Sequence, residues 1–409
     1  MSNTKLLTVI SFLFLISCNS HDKNTLVLKD ANIINVYNGE VSANSVVIED
    51  GIIKEIGAFK NLNSAKSSQV IDCSGKYLLP GFFDMHTHIL EHKNSTKFLD
   101  SLLSVGITSI RDMGGHADSL ARVKSEINKG IINGPDIFFA GYTLDGDKQR
   151  DTPDPTTLII NDSTDLSEVV SKLKQYKVDF IKVHSYFPYN RLEELIGIAS
   201  QQDLYVVGHI PRNTDPNEAI QKGMRSIEHL NSIIEGLVTK ESNGVENITQ
   251  AFNTIDSTYL DSLSRSFVGY GSAFTPTLHI IDKIYSSNPD ENLRRLGGLM
   301  MDRFMPMVLA LHKNNVLILA GSDDVPVDNS NYAALHKELE WLVKAGLTNL
   351  ESIQTATINP SKFLDIESEY GSVDIHKKAN LIILNSNPLD KIENTTDISN
   401  IVVKGQLLK

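Results

Sequence analysis

The 409-residue chain is 41% hydrophobic and 22% charged, with a formal net charge of −12. That length exceeds one small core and suits a barrel of about 250 residues with a smaller module beside it. An acidic balance without clustered Lys and Arg excludes a nucleic-acid partner, and the lack of GxxxxGKS/T, or of GxGxxG after a strand, excludes the usual phosphate cradles.

Residues 1–17 read as a secretion signal, because Lys5 precedes an apolar run, Leu6 to Ile16, that is too short to span a bilayer. The run ends Leu15-Ile16-Ser17-Cys18 and turns polar through Asn24, which resembles a bacterial lipobox cleaved before Cys18 and lipidated on its thiol. The expectation is a lipoprotein of the bacterial cell envelope, on the periplasmic or outer-membrane side. Residues 18–24 form its tether, and the lipid is its one link to the membrane. Ordinary secretion is the alternative. Cys73 then has no second cysteine, so no disulfide framework is expected, and it reads as a buried small residue.

From Thr25 to Leu79 short β-rich runs alternate with turns: Leu26–Leu28, Ile33–Val36, Ser45–Glu49 and Ile52–Ile56, with turn signals at Asn38-Gly39 and Asp50-Gly51. The C-terminal flank looks alike, with Asn380–Leu384 and Ile401–Val403 as strands and Lys404-Gly405 as a turn. Neither flank can bury enough apolar area alone, so residues 25–79 and 365–409 are expected to build one composite β-sandwich. Between them, over residues 80–364, eight strands are predicted at Gly81–His86, Thr108–Asp112, Asp136–Ala140, Phe180–Val183, Tyr205–Gly208, Ser226–Glu228, Ala273–Thr277 and Leu317–Ala320. Amphipathic stretches such as Thr96–Val105, Leu166–Tyr176, Arg191–Gln201, Pro216–Gly223 and Tyr332–Ala345 separate them. Eight βα units in an α/β chain predict a (β/α)8 TIM barrel, with an open doubly wound sheet as the alternative.

The metal-type residues fall at the C-terminal ends of these strands, where barrel enzymes place their chemistry. His86 and His88 alternate along the first strand, so both imidazoles face one side and can share an ion; two structural histidines are the plainer reading. Lys182 sits in the apolar run Phe180-Ile181-Lys182-Val183. It is either a snorkelling or salt-bridged lysine, or an amine whose lowered pKa lets it react with carbon dioxide to give a two-oxygen carbamate. His209 and His229 each close a strand, one βα unit apart. Asp323, after the eighth strand, is either a helix cap or a metal-binding carboxylate that takes a proton from water.

The order HxH, Lys, His, His, Asp at strands 1, 4, 5, 6 and 8 resembles the amidohydrolase superfamily. The stretches Leu79-Pro80-Gly81-Phe82-Phe83-Asp84-Met85-His86-Thr87-His88, Gly106-Ile107-Thr108 with Arg111-Asp112, Gly208-His209, Ser226-Ile227-Glu228-His229-Leu230 and Gly321-Ser322-Asp323 resemble its imidazolonepropionase-like and Xaa-Pro-dipeptidase-like branch. The resemblance implies two divalent ions, by default zinc, on His86, His88, Lys182, His209, His229 and Asp323. His86, His88 and Asp323 would hold the more buried ion, and His209 and His229 the more exposed one. Lys182, as its carbamate, would bridge them. Water between the ions would be acidified to hydroxide, and Asp323 would carry its proton to the leaving amine. Imidazolonepropionases proper lack the bridging lysine, so Lys182 favours the two-metal, peptidase-like reading. After it comes Val183-His184-Ser185-Tyr186 where the dipeptidases carry a Gly-rich loop.

His184, two positions beyond Lys182, is placed to polarise a scissile carbonyl or to sit as a solvated rim residue. Tyr142, Tyr186, Arg212 and His279 follow strands 3, 4, 5 and 7 and are candidates for lining the pocket, Arg212 by gripping a substrate carboxylate. The resulting expectation is a metal-dependent hydrolase of a carbon–nitrogen amide bond in a small substrate: a dipeptide, N-acyl amino acid or cyclic amide. The alternatives are a lactone or ester hydrolase using the same site, and a metal- or solute-binding lipoprotein without catalysis. Homo-oligomers are compatible with either.

Overall fold

Turn chemistry and short β-branched runs decide the local structure of the flanks. A computed structural model describes residues 25–62, 69–89, 95–147, 154–237, 251–324 and 333–408. Residues 1–24, with Cys18, and Tyr332 lie outside them. The N-terminal flank supplies β1 (Thr25–Ile34), β2 (Val41–Glu49), β3 (Ile52–Gly57), β4 (Gln69–Asp72) and β5 (Tyr77–Pro80). The centre supplies β6 (Phe82–Thr87), β7 (Ile107–Asp112), β8 (Asp136–Phe139), β9 (Thr143–Asp145), β10 (Thr157–Ile159), β11 (Ile181–Val183), β12 (Val206–Gly208), β13 (Met224–Glu228), β14 (Ala273–Thr275) and β15 (Leu317–Ile318). The C-terminal flank adds β16 (Leu381–Leu384), β17 (Ile398–Val403) and β18 (Gln406–Leu407).

The two flanks share one eight-stranded sheet, ordered β18-β17-β16-β5-β1-β2-β3 with β4 also on β1. Asp50 (φ 50°) and Gly51 (φ 80°) are both left-handed, which is the two-residue turn whose twist matches a hairpin. Lys404 and Gly405 repeat it between β17 and β18, at φ 50° and 77°. Two runs that read separately, Leu26–Leu28 and the start of Ile33–Val36, belong to one strand, β1, which ends at Ile34. It is bulged between Leu28 and Ala31, with Asp30 at φ 55°. Leu28, Ile48, Cys73, Leu381 and Val402 are among the fully buried residues of this sheet's own core.

The central strands pair in parallel as a three-stranded sheet, β6-β7-β8, and a seven-stranded sheet, β10-β9-β11-β12-β13-β14-β15. This is a mixed α/β fold. All eight predicted strands form, with no end moved by more than two residues; β9 and β10, three residues each, carry too little pattern to be read in advance. Backbone hydrogen bonds also link the two sheets. Met85 N donates to Ala320 O (2.9 Å), Asp323 N to His86 O (2.8 Å), and Asp179 N, just before β11, to Phe139 O (2.9 Å).

The helices between strands follow from caps and apolar spacing. In Leu166–Gln175, Asp165 accepts from the backbone N–H of Ser167 (2.9 Å) and Glu168 (3.1 Å), and Leu166, Val170 and Leu173 recur on one buried face. Each such aliphatic burial contributes about 1.5–3 kcal/mol. Pro216–Lys222 starts with Pro at its first turn and stops at Gly223, left-handed at φ 111°, directly ahead of β13. That stop leads straight into the strand that His229 follows. Among the described residues no helix is long and apolar enough to cross a membrane.

Candidate metal centre

The strand ends converge. His86, His88, Lys182, His209, His229 and Asp323 line one cleft of about 220 Å³ with Gly114, Thr143, Asp145, Asp154, Thr156, Thr157 and His184. The ring centroids of His86 lie 5.5 Å from His88 and 4.5 Å from His229, and His229 lies 4.7 Å from His209. Asp323 closes the ring: Oδ1 is 3.4 Å from His86 Nε2 and 3.6 Å from His88 Nε2, and Oδ2 is 3.7 Å from His229 Nδ1. Ligand atoms of His86, His229 and Asp323 lie within 4.8 Å of one another, a spacing that can hold one ion.

The donor set fits a divalent cation. His86 Nε2 is buried without a hydrogen-bond partner while it faces the Asp323 carboxylate, an arrangement that costs free energy unless something else satisfies the nitrogen. Burial, then the charges of His229 and Lys182, holds the His86 imidazole well below its ordinary range. Burial, then Lys182 and His184, does the same for His229. Both rings are therefore neutral at pH 7 and keep a lone pair, the form that binds metal. Lys182, 3% exposed, is pushed below the ordinary lysine range by burial, against the opposing charges of Asp323, Glu228 and Asp112.

The back of each imidazole is tied down. His86 Nδ1 meets Glu228 Oε2 at 3.1 Å, His88 Nδ1 meets Gly114 O at 3.2 Å, His229 Nδ1 meets Thr277 Oγ1 at 2.7 Å, and His209 Nδ1 meets Ser185 Oγ at 3.0 Å. Ser185 Oγ also donates to Glu235 Oε2 (3.0 Å). Buried Asp84 joins the first and last strand ends: Oδ1 accepts from His86 N (3.2 Å) and Ser322 N (2.9 Å), and Oδ2 accepts from Ser322 Oγ (2.6 Å).

His184 stacks on His209, centroids 4.0 Å apart, with Nδ1 3.3 Å from Asp145 Oδ2. Asp145 Oδ1 accepts from the N–H of Gly146 (3.0 Å) and Tyr186 (2.8 Å). Sequence reasoning passed over Asp145, because nothing in the run Gly141-Tyr142-Thr143-Leu144-Asp145 marks its carboxylate as aimed at strand 4. It also gave no role to Arg111 or Glu228. The available signal was a charge inside an otherwise apolar strand, the one that singled out Lys182.

The four other sequence candidates are not among the described residues lining the cleft. Tyr142 packs edge-on to His116 and Tyr176, at 6.0 and 6.3 Å. Tyr186 is 39% exposed beneath the Arg212 guanidinium, which lies 4.6 Å from its ring. His279 Nε2 approaches Asp324 Oδ2 at 3.5 Å, and Lys283 pairs with the same carboxylate.

Comparison with known proteins agrees with this geometry. The chain is 22% identical to a 5'-deoxyadenosine deaminase of Methanobrevibacter smithii over 93% of its own length and 88% of the relative's. It is 24% identical to an imidazolonepropionase of Flavobacterium johnsoniae over 83% and 84%. Among solved structures, it is similar to a prolidase complexed with N-methylphosphonate-L-proline (TM-score 0.76, 21% identity, covering 94% of this chain and 99% of that one). A Xaa-Pro dipeptidase with bound methionine is similar too (TM-score 0.75, 19% identity, 94% and 100%). The amidohydrolase family model matches residues 77–408, so the chain belongs to the amidohydrolase family.

Proposed function

We propose that the chain hydrolyses the amide bond of a small substrate (a dipeptide, N-acyl amino acid or cyclic amide) at a two-metal centre held by His86, His88, Lys182, His209, His229 and Asp323. Family membership and the relatives' names support metal-dependent hydrolysis of carbon–nitrogen bonds. One observation carries the finer reading: six side chains, from His86 to Asp323 in sequence, share a single cleft with Lys182 buried among them. In this reading the eight parallel strands β6, β7, β8 and β11–β15 close as a barrel through the hydrogen bonds at Ala320, His86 and Phe139. The bulged flank sheet folds over as the sandwich, with residues 25–79 and 365–409 outside the barrel and 80–364 within it. Cys18 attaches the mature chain to the cell envelope through its lipid, as the run before it suggests.

Divalent ions here, zinc by default, would polarise the scissile carbonyl and acidify water. The chain's own groups do the rest. Neutral Lys182 attacks carbon dioxide, forming an N–C bond and losing one proton to solvent, and its carbamate would offer two oxygens as ligands. Asp323, 23% exposed at the rim, accepts the proton of the attacking water and returns it to the leaving nitrogen. His184, held by Asp145 through Nδ1, would donate an Nε2–H to the substrate carbonyl oxygen when both its ring nitrogens carry protons.

The test is a screen of dipeptides, N-acyl amino acids and lactones with zinc-loaded and chelated protein, alongside Asp323→Asn. Amide cleavage that stops on chelation, and an Asp323→Asn variant that keeps most of its metal but loses turnover, is the expected result. Full activity in Asp323→Asn refutes the assignment of Asp323. Cleavage confined to lactones refutes the substrate class.

A further inference from the structure

We infer that Arg111 and Glu228 are positioning residues for His86, fixing its proton on Nδ1 so that the Nε2 lone pair faces the cleft; this rests on reading His86 as a metal ligand. Arg111, Glu228 and His86 are each 0% exposed. Both Glu228 oxygens accept from Arg111 Nη2 (2.7 and 2.8 Å), Oε1 also accepts from Ser226 Oγ (2.5 Å), and Oε2 lies 3.1 Å from His86 Nδ1. The guanidinium also donates to Met85 O (Nε, 2.7 Å), Ser226 Oγ (Nη1, 2.9 Å) and Thr275 Oγ1 (Nη2, 3.1 Å). Its carbon lies 5.8 Å from the Phe180 ring and 5.2 Å from the Phe363 ring. The pair is thus locked on all sides and buried without net charge.

A carboxylate accepts hydrogen bonds and donates none, so His86 Nδ1 must carry the proton and Nε2 the lone pair. At Nδ1, His88, His229 and His209 meet the Gly114 carbonyl, the Thr277 hydroxyl and the Ser185 hydroxyl, the last of which donates on to Glu235. A charged acceptor behind an imidazole raises the electron donation of its far nitrogen, and removing such a partner typically weakens metal binding 10- to 100-fold. The Glu228 carboxylate therefore makes His86 a stronger donor than a neutral partner would, and tightens the hold on the ion it binds.

The experiment measures Zn²⁺ affinity of the full chain by competition with a chromophoric chelator, with thermal melts alongside, for His86→Asn, Glu228→Gln and the double variant Arg111→Met/Glu228→Gln. The expectation is a roughly 10- to 100-fold loss of zinc affinity in Glu228→Gln. The double variant, which removes both charges together, regains thermal stability while its zinc affinity stays low. Wild-type zinc affinity in a folded Glu228→Gln overturns the inference. Affinity that returns together with stability in the double variant also overturns it, since the pair would then be merely structural. Should His86→Asn itself bind zinc like the wild type, the metal-centre reading fails; loss in His86→Asn with none in Glu228→Gln removes only the positioning role.

Discussion

Replacing Lys182 by methionine separates the cost of burying the amine from its chemistry. The side chain is 3% exposed, and methionine fills nearly the same volume without a charge. Burial disfavours the ammonium, and Asp323, Glu228 and Asp112 offset that only in part. A folded pKa below the unfolded one means that the ammonium costs the fold free energy, on the order of 1 kcal/mol for each tenfold loss of proton affinity, so removing it should stabilise by about 1–4 kcal/mol. At about 2.1 cal/mol/K per residue, a chain of 409 residues unfolds with roughly 0.9 kcal/mol/K, so the metal-free variant should melt roughly 1–5 °C higher. The sign with pH follows from the lowered folded pKa. Between that value and the unfolded value of 10.5 the unfolded chain holds a proton that the folded chain has lost, so wild-type stability rises with pH across this window. The gap between variant and wild type is widest below the folded pKa and closes as pH approaches 10.5. Calorimetry on chelated protein in carbon-dioxide-free buffer measures it, and zinc-loaded activity of the same variant should be lost. A variant less stable than wild type by more than about 1 kcal/mol, with a gap independent of pH, would make Lys182 a structural cation. No neutral amine would then exist to form a carbamate.

Two further expectations concern the frame of the site. Gly208 (φ 127°) leaves 2.1 Å between a built Cβ and Val183 O, so Gly208→Ala should lose about 2–6 kcal/mol from overpacking and backbone strain. Gly197→Ala, on a helix with nothing within 4 Å, should gain about 0.5–1 kcal/mol, and paired denaturant melts compare them. Burial lifts the Glu338 carboxyl to about 8, above its unfolded value of 4.5, so the folded chain keeps a proton that the unfolded chain releases. The stability of the wild type relative to Glu338→Gln, which can still accept from His279 N, should fall as pH climbs from 4.5 to about 8 in paired urea melts, since every other titrating group acts alike on both proteins.

Much of the site was legible because barrel chemistry sits at strand ends, and a strand end is a local signal: a short apolar run, then His, Lys or Asp. The same logic located eight central strands and the two hairpin turns at Asp50-Gly51 and Lys404-Gly405. It missed β9 and β10 and with them Asp145, Asp154, Thr156 and Thr157, which line the cleft. It also placed Tyr142, Tyr186, Arg212 and His279 near the mouth by their position after a strand. Which way a loop side chain turns depends on packing against other loops, as Tyr142 against Tyr176 or His279 against Asp324, and no local pattern encodes that. The partners of Arg111 stayed hidden for a related reason. Arg111 and Glu228 lie 117 positions apart, and only the folded sheets bring them together.

Part of the backbone strain falls where those strand ends turn inward. His229 (φ 67°), Thr277 (φ 50°) and Asp323 (φ 47°) are left-handed non-glycine residues at the cleft, a conformation that costs about 1–2 kcal/mol each. Each is held by contacts that a relaxed backbone would break: His229 N donates to Thr275 O (2.9 Å), Thr277 Oγ1 meets His229 Nδ1 (2.7 Å), and Asp323 N donates to His86 O (2.8 Å). Extended φ values would carry these side chains past the cleft along their strands. The kink at each position is thus what aims an imidazole or a carboxylate at the common centre, and the buried Asp84–Ser322 hydrogen bonds hold the two outermost strand ends while it does so.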